Sequence, residues 1–251
     1  MGTMKTPRIL AATAVAATLS ANSPAADFQT DTFATPGGKT VAITAIKHAS
    51  LRIECGGCEI QVDPVGAKCP PATDYAAFPK ADWILVTHEH FDHFDRDAIG
   101  ALGKEGTRVV ANPAVRDLLG YGTALRNGES LDLAEGVSIA AVPAFNTTAG
   151  RTQFHPRGRD NGYLLTLDGL RIYIAGDTED IPEMAALADR VDIAFLPCNQ
   201  PYTMTPEQVA RAARVIRPKV LFPYHYSETP VRRVAELLAD TAIDIRIRDY
   251  R

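Results

Sequence analysis

Hydrophobic positions along the chain fall into short runs separated by Gly, Pro and Asp, the pattern of a strand-rich protein. Residues 40–46, 51–55 and 59–62 alternate or run apolar with β-branched residues and predict three strands, with Gly56-Gly57 turning the second into the third. Asp63-Pro64 ends the third strand, and a loop runs to about Pro79. Residues 83–87 are almost continuously apolar, as in a strand buried on both faces, and lead straight into His88. A helix is predicted over 95–102, a strand over 108–111, a short helix over 113–119 with proline in its first turn, and a strand over 137–144. A polar loop follows over 145–161.

The second half alternates more regularly. Residues 163–167 and 171–175 form a hairpin over Asp168-Gly169. Helix is predicted over 181–188 and strand over 192–197. Thr205 opens a helix whose Glu207-Gln208 positions fit a capping box. That helix carries Val209, Ala212, Ala213 and Ile216 on one face and stops before Pro218. Strand 220–224, helix 231–238 and strand 243–247 close the chain. Early strands meander and later ones alternate with helices, so both halves feed one core of two sheets packed face to face with helices outside. The expected domain spans 40–251, after an extended lead-in over 27–39.

Composition narrows the class. A chain of 251 residues suits one large α/β domain or two small ones. Thirty acids against 26 bases argue against nucleic acid as the main partner. Lys5 and Arg8, the apolar run 9–21, and the small residues Ser23, Ala25 and Ala26 before Asp27 predict a cleaved signal peptide over 1–26. The protein is then expected in the periplasm or secreted, with no stable membrane span after cleavage, because the run is shorter than the roughly 20 residues a spanning helix needs. In an oxidising compartment the four cysteines, Cys55, Cys58, Cys69 and Cys198, permit two disulfides. Cys55-Gly56-Gly57-Cys58 has no second CxxC to complete a zinc knuckle, so a disulfide at a hairpin tip is the better reading.

The chemistry concentrates in Thr87-His88-Glu89-His90-Phe91-Asp92-His93. His88 and His90 lie two apart at a strand end, where residues i and i+2 point the same way, so both imidazoles can reach one metal ion. Asp92 and His93 follow where the chain turns and can reach a second. Nitrogen and oxygen ligands of this kind suit zinc, and also manganese or iron. Two further candidates sit at strand ends: Asp177, in Gly176-Asp177-Thr178, placed to bridge the ions, and His225.

These residues, with Asp63 after a strand, give the chain a resemblance to the metallo-β-lactamase superfamily. His48-Ala49-Ser50, His155-Pro156, Leu196-Pro197 and Tyr224-His225-Tyr226 make it similar to the bacterial metal-dependent hydrolase branch that includes ascorbate-phosphate lactonase-like proteins. The resemblance implies an α/β fold, an αββα four-layer sandwich with the metals in a cleft at one sheet edge. It implies that His88 and His90 hold one ion, that Asp92 and His93 hold the other with His225 completing that site, that Asp177 bridges, and that Asp63 orients the histidine loop by hydrogen bonds. It also suggests a Cys69–Cys198 disulfide, both residues following strands that end near the cleft. The chain departs from the superfamily at one position. Phe145-Asn146 stands where a third histidine of the first site is usual, and His155, nine residues on, is the natural substitute as ligand or direct cleft residue.

Two ions would lower the pKa of a bridging water toward neutral and polarise a substrate oxygen, with Asp92 orienting the attacking oxygen. The expected activity is hydrolysis of a small ester, lactone or amide. The alternatives are a phosphodiesterase on the same scaffold and a metal-binding protein without turnover. Arg151, Arg157 and Arg159 would favour an anionic substrate if their loop closed over the metals. His48, Asn146, Asn199, Gln200, Tyr202 and Thr203 are candidates to line the cleft. Ser50 and Ser227 lack a partner motif for nucleophilic catalysis. Oligomeric state stays open.

Overall fold

The computed structural model describes residues 28–250, so the expected signal segment lies outside the described residues. No described helix is long and apolar enough to cross a membrane. Two sheets of seven strands form the frame. The first runs in chain order: β1 (Thr30–Ala34), β2 (Thr40–Lys47), β3 (Ser50–Cys55), β4 (Cys58–Val62), β5 (Trp83–Val86), β6 (Arg108–Ala111) and β7 (Thr123–Ala124). The second holds β8 (Ser130–Ala134), β9 (Val137–Ala144), β10 (Asp160–Leu167), β11 (Leu170–Ile174), β12 (Ile193–Pro197), β13 (Val220–Tyr224) and β14 (Asp244–Ile245). Each sheet has the same plan, an antiparallel meander of four strands continued by parallel strands.

Alternation along the strands sorts side chains into layers. On β5, Trp83 and Leu85 enter the core between the sheets, with Ile53, Ile60, Ile139, Leu165, Ile172 and Phe222, while Ile84 and Val86 face outward. The outward residues pack under α1 (Arg96–Leu102) and α2 (Pro113–Leu119) through Ile99, Leu102 and Val115. On the far side α3 (Pro206–Ile216) sets Val209, Ala213 and Ile216 against Tyr173, Ala194 and Leu221. The layers are therefore helix, sheet, sheet, helix. Thr205 caps α3 in a full capping box with Gln208, and α4 (Arg232–Leu237) packs beside it.

Several local features depart from the sequence reading. Strand β8 is mostly exposed, so burial left little hydrophobic signal to read, and β7 is only two residues long. Strand β10 begins at Asp160, inside the expected loop. The expected helix over 181–188 is a 3₁₀ turn, Pro182–Leu187, whose N-cap makes no side-chain bond. The last strand is reduced to β14.

All four cysteines are free thiols, against both expected pairings. Cys55 and Cys58 do face each other as the closing pair of the β3–β4 hairpin. Burial pushes the Cys58 thiol up to about 11 and Cys198 to about 12, so neither readily forms the thiolate that disulfide exchange needs. Cys69 lies in a loop gripped by Lys47, whose buried ammonium donates to the carbonyls of Gly66, Cys69 and Pro71, whereas Cys198 packs among the core residues beneath α3.

Candidate metal centre

The parallel segments of both sheets, and the strands antiparallel to their neighbours by pairs, deliver their C-terminal ends to one edge of the sandwich. Strand β2 exits into His48, β4 into Asp63, β5 into Thr87-His88, β9 into Phe145-Asn146, β11 into Ala175-Gly176-Asp177, and β13 into His225. Bonds across the sheets fix these exits together: Tyr163 Oη donates to the Val86 carbonyl at 2.8 Å and Asn161 N–H to the Thr87 carbonyl at 3.2 Å. Gly176 sits at this seam with φ +63°, and a Cβ there would lie 2.7 Å from the Asn161 carbonyl oxygen. Only glycine combines that backbone with so close an approach.

Two groups of ligand-type side chains result, each with its donor atoms within 4.8 Å of one another: His88, His90, His155 and Asp177, and His48, Asp92, His93 and His225. In the first, His88 Nε2 faces His90 Nδ1 at 3.0 Å, and His155 Nε2 lies 3.2 Å from Asp177 Oδ2. In the second, His93 Nε2 faces His225 Nε2 at 3.2 Å, and Asp92 Oδ2 lies 2.9 Å from His48 Nε2 and 3.4 Å from His225 Nε2. Asp177 spans both, with Oδ2 toward the first group and Oδ1 3.3 Å from His93 Nε2. Both ring nitrogens of His155, Nδ1 of His225 and Oδ1 of Asp177 are buried without a hydrogen-bond partner. Buried polar atoms normally find a partner, and nitrogens turned toward one another around a shared carboxylate are what a cation fits.

Backbone and neighbouring side chains hold these rings in place. Asp63 accepts from Thr87 N–H at 2.8 Å and Thr87 Oγ1 at 2.7 Å, and meets His93 Nδ1 at 2.8 Å. It thereby ties the histidine loop to β4 and fixes which His93 nitrogen is free to bind. His48, Asp63 and His225 all have positive φ, near +43° to +51°, a conformation that costs energy in non-glycine residues and collects at functional sites. His225 N–H donates to the His48 carbonyl, locking the two turns together.

His155 arrives by a different route. Asn146 N–H donates to the His155 carbonyl at 2.8 Å, so residues 146–155 fold back on themselves and return the ring to the end of β9. The Asn146 carboxamide donates to the carbonyls of Tyr202 and Arg151, and buried Glu179 accepts from Thr147 and Thr148 N–H. Asn146 therefore braces the loop, and its Oδ1 is buried without a partner. The sequence reading missed Glu179 and Phe154, which carry no motif, and the pairing of Arg159 with Glu89 of the histidine motif.

Electrostatics separates the rings. Burial, followed by the neighbouring His93 for His88 and His155 for His90, holds both below the usual histidine range, so they are neutral, as metal ligands must be. His48 is lowered by burial and by His225. Burial would lower His93 too, but the Asp177 and Asp63 carboxylates outweigh it and raise its pKa well above normal. Burial would raise Asp92 and Asp177, yet surrounding histidines hold both well below the carboxylate range.

A cavity of about 420 Å³ opens over the two groups, lined also by Phe91, Phe154, Asn199 and Tyr202. The three loop arginines, which would have favoured an anion had their loop closed over the site, do not line the cavity. Arg159 forks onto Asp160 and reaches Glu89 at 3.1 Å, Arg157 pairs with Glu183, and Arg151 bonds Gln200 and neighbours Glu179. Gln200 and Thr203 turn into local bonds, Thr203 to the Asn199 backbone, and face away from the cavity wall. Ser50 donates to the Asp63 carbonyl and stays outside the cavity.

Comparison with known proteins agrees with this architecture. The Beta-lactamase superfamily domain matches residues 42–225. A UPF0173 metal-dependent hydrolase of Thermococcus kodakarensis is 33% identical over 200 residues, 76% of this chain and 86% of that protein. The crystal structure of a candidate metal-dependent hydrolase from Parabacteroides distasonis superposes with TM-score 0.85 at 54% identity, over 89% of this chain and all of that one. A metallo hydrolase of Ignicoccus hospitalis gives TM-score 0.70 at 25% identity, over 83% and 95% of the two chains. By its ligand-bearing strand ends, its layers and these relatives, the chain belongs to the metallo-β-lactamase superfamily.

Proposed function

We propose that the protein is a hydrolase that holds two metal ions, zinc first among zinc, manganese and iron, and cleaves a small ester, lactone or amide. The observation that carries this reading is Asp177, one buried carboxylate turned to two histidine groups at the floor of an open cavity. Names of the relatives support the general reaction class, and the lactonase-like resemblance supports the choice of a carbonyl substrate. Metal ions in these groups would supply an acidified water and an electrophile for the substrate oxygen.

The chain's own residues do the rest. His88, His90 and His155 with Asp177 would hold one ion. Asp92, His93 and His225, with His48 beside them, would hold the other. Asp92 lines the cavity and is pinned by His48 and His225, so its carboxylate can accept a hydrogen bond from the attacking water and aim it at the carbonyl. Held far below the normal carboxylate range, Asp92 is a poor base and acts by orientation. The phosphodiesterase alternative loses its main support, because Arg151, Arg157 and Arg159 are already engaged by the protein. Export remains part of the proposal on sequence grounds alone.

Elemental analysis after metal supplementation tests the site, and close to two equivalents per chain is expected. Chromogenic esters, lactones, β-lactams and a bis-phosphate then test the reaction. Full metal occupancy without turnover of any carbonyl substrate would sink the hydrolase reading. Faster turnover of the phosphodiester would redirect it.

A further inference from the structure

The wall of the cavity facing the metal groups is apolar and its charges are spent elsewhere. Phe91, inside the histidine motif, is 66% exposed, and Tyr202 is 46% exposed; both are among the few large apolar side chains left open to solvent among the described residues. Phe154 meets Tyr202 edge-on with ring centroids 5.1 Å apart. These three rings line the same cavity as the histidines. Exposed aromatic surface gathered at a concave site marks a place where an apolar partner is buried.

The surrounding polar residues serve to hold this wall. Arg159 donates to the Phe154 carbonyl at 2.9 Å, and Asn146 donates to the Tyr202 carbonyl at 2.7 Å. Among the described residues no lysine or arginine lines the cavity. Arg159 Nη2 lies 3.4 Å from His90 Nε2, but its guanidinium is already held by Asp160 and Glu89, so a charged group remote from the reacting carbonyl would find no unspent counter-charge there. Asn199 also lines it, and its carboxamide has no hydrogen-bond partner among the described residues, leaving one neutral donor and acceptor in the wall.

Building on the hydrolase reading, we infer that the substrate is an uncharged carbonyl compound with a planar apolar group, seated between Phe91 and the Phe154–Tyr202 pair with Asn199 bonding a polar atom beside it. The rings receive the non-reacting part of the substrate, whose binding energy can then position the carbonyl over the metals. An anion could still meet the metal ions, but the wall would not reward a second negative charge.

Calorimetric titration of the zinc-loaded protein with three ketones, which have no acyl bond to hydrolyse, tests this: the benzyl compound 4-phenylbutan-2-one, the methyl compound butan-2-one, and 4-(3-oxobutyl)benzoate, which adds a distal carboxylate to the first. The benzyl compound should bind at least about tenfold more tightly than the methyl compound, the worth of burying one aromatic ring. The distal carboxylate should weaken binding. Phe91→Ala and Tyr202→Ala should each remove most of the benzyl preference with metal content unchanged, and Asn199→Ala should weaken both uncharged ketones. Equal binding of benzyl and methyl compounds, tighter binding of the carboxylate, or an intact preference in both aromatic variants would overturn the inference. The two readings fail separately: a benzyl preference without turnover of any ester, lactone or amide sinks the hydrolase and keeps the recognition site, whereas turnover without the preference does the reverse.

Discussion

The two halves of the candidate metal centre are built on different principles. The group of His48, Asp92, His93 and His225 is fixed by backbone: two of its residues sit in left-handed turns at strand exits, joined by a main-chain hydrogen bond, with Asp63 gripping His93 from behind. The group of His88, His90, His155 and Asp177 borrows one member from a loop that has no strand beneath it, held by side-chain braces from Asn146, Arg159 and Glu179. The strand-exit group should therefore behave as a rigid site, and the loop-completed group as one whose occupancy follows the state of residues 146–159.

The most damaging change should be at the residue the halves share. Asp177→Ala removes a carboxylate within 3.9 Å of His88, His93, His155 and His225, and leaves four rings to repel one another around any bound cations. Metal content should fall from two equivalents toward none and turnover should vanish, as read by elemental analysis and the substrate panel. Retention of one full equivalent would show that one half stands without the bridge.

His155→Ala separates the halves. It should empty the loop-completed group while the strand-exit group keeps its ion, with turnover down at least about tenfold. A competition series with a graded chelator should then show one tight site where the wild type shows two. Two tight sites would mean that the ring is dispensable and that Asn146 or water fills its place.

Asn146→Ala should have the smallest effect on metal and a visible one on stability. Loss of its bonds to the Tyr202 and Arg151 carbonyls leaves two part-buried acceptors to water, a cost of about 1 kcal/mol. A lower urea midpoint with near-normal metal content is expected. A loss of metal as severe as that of His155→Ala would place Asn146 among the ligands.

The same contrast explains what could be read from the sequence. Residues at strand exits announce themselves, because an apolar run ending in His or Asp is a local signal; His88, Asp63, Asp177 and His225 were legible for that reason. The class of two packed sheets was legible too, from apolar runs such as β5 and the apolar face of α3, whereas the four-layer order came from the family resemblance. His155 could be guessed only from a vacancy at Asn146 and a shortage of other histidines. Its delivery depends on hydrogen bonds between carbonyls and side chains far apart in the chain, which no periodicity records. The same blindness hid the neutralisation of the arginines. Their partners, Glu89, Asp160, Glu179 and Glu183, are ordinary surface-type residues until folding brings them within reach.

The seam at Gly176 carries a consequence for how the molecule matures. Its approach to Thr87, where a Cβ would lie 3.2 Å from the Thr87 Cβ, exists only when the second sheet has closed against the exit of β5, whereas its approach to the Asn161 carbonyl is made within the second sheet. The metal-binding residues run from position 48 to position 225, and those of the loop-completed group alone from 88 to 177. The complete ligand sets therefore exist only once both sheets are formed and docked, which couples full metal capture to completed folding. A preparation short of metal then has two separable causes: unfilled sites in finished molecules, which added metal restores, and unfinished molecules, which it does not.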